Sequence, residues 1–115
     1  MKFSFDCVFY YVSDLDRAVD FYTRVLGFKL LSRDSVARFD IGGVLFELVS
    51  KPGGQRPQAA GNARLCLRVD NVTQAIGELQ SQGVRVSPPE VKATGSLAFF
   101  QDPDGNEVCL WEYSK

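Results

Sequence analysis

The chain repeats its own pattern. Residues 3–12 are rich in Phe, Tyr and Val, and they lead into a helical pattern and then three short apolar runs. From Leu65 the same order begins again. Val12-Ser13-Asp14-Leu15 aligns with Val69-Asp70-Asn71-Val72, and Gly43 aligns with Gly105. Neither half is long enough to bury a sheet face and a helix stably alone, so the two are expected to pack together. The duplication therefore dictates one structural domain, residues 1–115, built from modules at 1–50 and 64–115. Residues 51–63 (KPGGQRPQAAGNA) carry almost no apolar bulk and read as a linker.

Within the first module, Ser13-Asp14-Leu15-Asp16 reads as a capping-box variant with Ser13 as N-cap. Leu15, Ala18, Val19, Tyr22, Val25 and Leu26 then recur at helical spacing, and Gly27 supplies the stop. Phe28–Ser32 reads as a strand, while Val36–Ile41 and Val44–Ser50 flank Gly42-Gly43, a hairpin signal. In the second module Leu65–Val69 is a strand and Asp70 or Asn71 caps a helix bearing Val72, Ala75, Ile76 and Leu79, which ends at Gly83. Val84–Val86, Ser96–Gln101 and Glu107–Tyr113 are expected strands, the last two joined by the turn Asp102-Pro103-Asp104-Gly105. The class is α+β: strand, helix, three strands, twice over.

Strand alternation then divides the side chains between two faces. Pairing outward from Gly42-Gly43 sets Arg38 opposite Glu47 and sends Arg38, Asp40, Leu45, Glu47 and Val49 away from the helix. The same parity places Cys7, Phe9 and Tyr11 with them, and in the second module Arg64, Cys66, Arg68, Glu107, Cys109, Trp111 and Tyr113, with Phe100 expected across the hairpin. Aromatics beside arginines suit a planar or partly anionic organic ligand, through stacking and guanidinium hydrogen bonds. Glu47 is expected to pair with Arg38 or Arg64, and Arg64 and Arg68 either clamp an anion or pair with Glu47 and Glu107.

Composition narrows the chemistry. There is no histidine, which removes His acid/base catalysis, Ser-His and Cys-His nucleophile pairs and His-containing metal sites. Thirteen basic and fourteen acidic residues leave a net charge of -1, so nothing points to a nucleic-acid or membrane-surface partner. Cys7, Cys66 and Cys109 are an odd, widely spaced set and read as reduced thiols. The first residues, Met1-Lys2-Phe3-Ser4-Phe5-Asp6, have no signal or transit pattern, and Cys7–Val12 is too short an apolar run to span a bilayer. A soluble, cytoplasmic protein is expected.

Tyr11-Val12-Ser13-Asp14-Leu15-Asp16-Arg17-Ala18, Phe21-Tyr22, Leu26-Gly27-Phe28 and Asp102-Pro103-Asp104-Gly105-Asn106 resemble the vicinal oxygen chelate superfamily. That superfamily includes glyoxalases, extradiol dioxygenases, fosfomycin-modifying enzymes and bleomycin-resistance proteins. The resemblance implies paired βαβββ modules whose mixed sheets curve around a central cavity, formed within one chain or by exchange between two. It also implies that metal-using relatives carry His, Gln or Glu at four places, which align here with Cys7, Glu47, Arg64 and Cys109. Only Glu47 is a usual ligand, and the guanidinium of Arg64 cannot ligate.

The expected function is thus a metal-independent small-molecule binder of the bleomycin-resistance type, serving sequestration or antibiotic resistance, with no cofactor. Its candidate site is Cys7, Phe9, Tyr11, Arg38, Glu47, Arg64, Arg68, Phe100, Cys109 and Trp111. One alternative is a lyase, isomerase or dioxygenase using a divalent metal, with Glu47 the one catalytic candidate and Cys7, Cys109 and Cys66 as soft partners. Against it, free cysteines commonly act as small apolar fillers. A further alternative is a regulatory or structural module closed by its own aromatics. Phe3, Phe5, Trp111 and Tyr113 favour a homodimer.

Overall fold

The computed structural model describes residues 1–51, 53, 55 and 63–115. The chain divides into two compact units, Met1–Gln58 and Ala59–Lys115. Most of the linker expected at 51–63 lies outside the described residues.

In the first unit, β1 (Val8–Val12) leads to α1 (Leu15–Asp20), followed by a π-helical turn over Phe21–Val25. Strands β2 (Lys29–Arg33), β3 (Val36–Ile41) and β4 (Val44–Ser50) complete it. The sheet order is β1-β4-β3-β2, with β1 parallel to β4 and the other pairs antiparallel. Asp14, rather than Ser13, is the N-cap: its carboxylate accepts from the Arg17 backbone N–H at 3.1 Å. Ser13 instead accepts from the Arg17 guanidinium. The π turn, closed by Leu26 N–H donating to the Phe21 carbonyl at 3.2 Å, lets the consecutive Phe21 and Tyr22 both turn inward. Tyr22 lies with its ring centroid 5.6, 6.2 and 5.1 Å from those of Phe28, Phe39 and Phe46. Fully burying an aromatic of this size contributes about 2–3 kcal/mol, so this ring cluster under α1 is the main anchor of the unit.

The second unit repeats the order with β5 (Leu65–Arg68), α2 (Val72–Ser81), β6 (Glu90–Val91), β7 (Gly95–Gln101) and β8 (Glu107–Tyr113). Its sheet runs β5-β8-β7-β6, again with the parallel pair at one edge. Asn71 caps α2 by accepting from Gln74 N–H at 2.9 Å, and Glu112 on β8 accepts from Val72 N–H at 2.7 Å. Val72, Ile76 and Leu79 then face Ala98, Phe100, Val108 and Leu110, all buried. In each unit the helix covers one sheet face, and the other face carries the candidate residues except Phe100.

Two expected strands shift. β1 starts at Val8, and residues 1–7 form no strand. Val84–Val86 makes a single bridge, Val86 to Phe100, and the outer strand is instead Glu90–Val91. Pro88 and Pro89 lie between, and without backbone N–H groups they cannot continue a ladder. No helix of the described residues is long and apolar enough to cross a membrane.

Candidate ligand-binding faces

On the first unit's uncovered face the register sets Phe9 beside Glu47 and Glu47 opposite Arg38, as the hairpin count requires. The Glu47 carboxylate is held from two sides. One oxygen accepts from Arg38 Nε at 3.2 Å, and the other takes the Cys7 thiol at 3.8 Å. Arg38 reaches Asp34 as well, at 3.5 Å. Burial, then the charges of Glu47 and Asp6, push the Cys7 thiol upward, so it is a protonated donor to Glu47 rather than a thiolate. Phe9 and Tyr11 stand beside this cluster with centroids 5.3 Å apart and planes at 87°, each almost half exposed.

On the second unit's uncovered face β5 and β8 set Cys66 opposite Cys109 and Arg68 opposite Trp111. Arg64 Nε meets Glu107 at 2.7 Å, one of the two acids the sequence offered it, and Glu47 pairs with Arg38. The Arg68 guanidinium lies 5.1 Å over the Tyr113 ring, and Tyr113 meets Trp111 edge-on at 5.6 Å. Such a cation–π contact leaves the guanidinium edge able to donate. Cys109 is buried, and its thiol is pushed up to about 12, by burial first and then by Cys66 and Glu107. Arg68, Val69 and Asp70 form the wall shared by two clefts, of about 340 Å³ toward α2 and about 290 Å³ toward the end of β8.

Phe100 corrects the sequence reading. It pairs with Val108, is buried at 3% exposure, and belongs to the face beneath α2. Phe99 is the residue opposite Cys109. The missed signal was the loop closure, in which Asp102 N–H donates to the Asn106 carbonyl at 2.9 Å, making Gln101 and Glu107 the first pair. Gly95 was also missed. A Cβ there would fall 2.6 Å from the Trp111 ring and collide with the Glu112 carbonyl, so the indole rests directly on the glycine backbone. Nothing but the absence of a side chain could have signalled it.

The donor chemistry does not fit a metal. Metal binding requires thiolates and free carboxylates; here Glu47 is ion-paired, Arg64 is a cation, and Cys7 and Cys109 are pushed toward the protonated form. Among the described residues no three His, Cys, Asp or Glu side chains gather to hold an ion.

Residues 4–110 match the model of the Glyoxalase/Bleomycin resistance protein/Dioxygenase superfamily. The sequence is 31% identical over 116 residues to lactoylglutathione lyase of Escherichia coli O157:H7, covering 88% of this chain and 86% of that protein. It is structurally similar to TnmS3, an antibiotic binding protein from Streptomyces sp. CB03234, with a TM-score of 0.77 and 31% identity over 99% of both chains. A glyoxalase/bleomycin resistance protein from the same organism gives a TM-score of 0.72 at 32% identity, over 93% of this chain and 99% of that one.

Proposed function

The chain belongs to the glyoxalase, bleomycin resistance protein and dioxygenase superfamily, and from that premise we propose that it is a metal-independent binder of a planar, partly anionic organic molecule. The observation that carries this reading is the chemistry at Cys7, Glu47, Arg64 and Cys109, which the resemblance aligns with the metal ligands of relatives. Glu47 and Arg64 are tied into ion pairs, and Cys7 and Cys109 are driven toward neutral thiols. The first unit adds a half-exposed ring pair, Phe9 and Tyr11, and the second adds the Arg68–Tyr113–Trp111 cluster. The likeness to an antibiotic-binding protein supports sequestration of an aromatic antibiotic or metabolite, and hence a role in resistance. The exposure of Phe3, Phe5 and Tyr113 supports a homodimer. The cysteines, none in a disulfide, support a cytoplasmic location.

The test is calorimetric titration of a screened planar anion. Removing one charged hydrogen bond costs about 1.5–3 kcal/mol, or roughly ten- to a hundredfold in affinity. Arg68→Ala should lose that factor for the anion and little for its neutral analogue. Equal affinity of parent and variant for the anion would remove anion recognition from the reading. The second reading, a glyoxalase-type lyase, is favoured by the likeness to lactoylglutathione lyase. Turnover of lactoylglutathione on added divalent metal, abolished in Glu47→Gln, would establish it in place of the first.

A further inference from the structure

We infer that Cys66 and Cys109 form a redox-active dithiol, in which exposed Cys66 is the site of attack on a small anionic disulfide and buried Cys109 resolves the adduct into a cross-strand bridge. This does not depend on the ligand proposed above. The two residues are register partners on adjacent parallel strands and point to the same face. Neighbouring strands lie about 4.8 Å apart, within the roughly 4.4–6.8 Å Cα separation that disulfides span. No strand has to slide for the bridge to close. The two thiols differ in access, Cys66 exposed and Cys109 buried, which gives each a separate role.

The surroundings favour an anionic reagent. Arg64 and Arg68 flank Cys66 two residues away on either side and share its face. Trp111 follows Cys109 on the same face and offers an aromatic surface beside the thiols. The groups facing Cys109 are Cys66, Arg64 and Arg68 of β5 and Glu107 and Tyr113 of β8, while β7 presents Phe99. In the first step the Cys66 thiolate attacks one sulfur of the reagent, its S–S bond breaks, and one thiolate leaves. In the second, Cys109 gives up its proton to water and attacks the Cys66 sulfur, expelling the second thiolate. Two protein thiols are oxidised and one reagent disulfide is reduced. Burial of Cys109 makes the second step the slow one.

The probe is one equivalent of dithiobis-nitrobenzoate, followed by the colour of the released thiolate, intact mass and proteolytic mapping. The whole chain should release one thiolate quickly and a second slowly. It should end two hydrogens lighter, with residues 66 and 109 linked and the link reversed by dithiothreitol. The slow phase should quicken as the pH rises, because buried Cys109 must lose its proton before it attacks. Cys109→Ala should stop at an adduct on residue 66, and Cys66→Ala should lose the fast phase. A stable adduct on Cys66 in the unsubstituted chain at pH 10, or a link that involves Cys7, would overturn the inference whatever the variants do.

Discussion

Glu47 holds a guanidinium on one oxygen and a thiol on the other, with its side chain only 17% exposed. Glu47→Gln should therefore lower stability by about 1–2 kcal/mol in urea unfolding, since it leaves Arg38 without its buried charge partner. Combining it with Arg38→Gln should recover part of that loss. The Cys109 thiol carries a pH signature of its own. Its folded-state value, about 12, lies above the ordinary thiol range, so unfolding favours its deprotonation. Its contribution to stability should be complete below about pH 8, decline as the pH rises above the unfolded thiol value, and be exhausted near 12. A thermal-melt series against pH, compared with Cys109→Ala, checks this. Equal slopes for the two proteins above about pH 9 would contradict it.

At the scale of elements, small contacts set the register. The buried Asp102 carboxylate accepts from the backbone N–H groups of Asp104 and Asn106 and from the Asn106 side-chain amide, closing the β7–β8 hairpin. Asp102→Ala should cost about 3 kcal/mol, measurable by chemical denaturation, because it strands buried donors. Gly95→Ala should cost about 1–3 kcal/mol by forcing the Trp111 ring and the β8 backbone away, where Gly77→Ala on the exposed side of α2 meets nothing. Much of this layer was legible in the sequence. The Gly42-Gly43 joint fixed β3, β4 and the Arg38–Glu47 pair, and the β8 boundaries followed from alternation. What was not legible were features set by tertiary contact. Parity alone misplaced Phe100 because the length of the Asp102–Asn106 loop decides which residue opens the ladder. The strand expected at Val84–Val86 gave way because the following prolines withhold donors. The clefts beside Arg68 join residues from β5, α2 and β8 that no local pattern brings together.

For the whole molecule, the duplicated plan gives each unit its own helix-covered face and its own ion pair, Arg38–Glu47 in one and Arg64–Glu107 in the other. Glu47 and Arg64 are thus engaged by charge partners, so the chain should purify with far less than one zinc, nickel, iron or manganese per molecule. Elemental analysis finding about one metal per chain, lost in Glu47→Gln, would reverse that. Sedimentation at micromolar concentration should show a dimer, and a monomer would count against the proposed assembly. The Trp111 ring lying on the Gly95 backbone has a practical consequence as well. It is the only tryptophan in the sequence. The protein thus carries a single intrinsic fluorophore on the face where a ligand is proposed to stack, and emission quenching alone can report occupancy without a label.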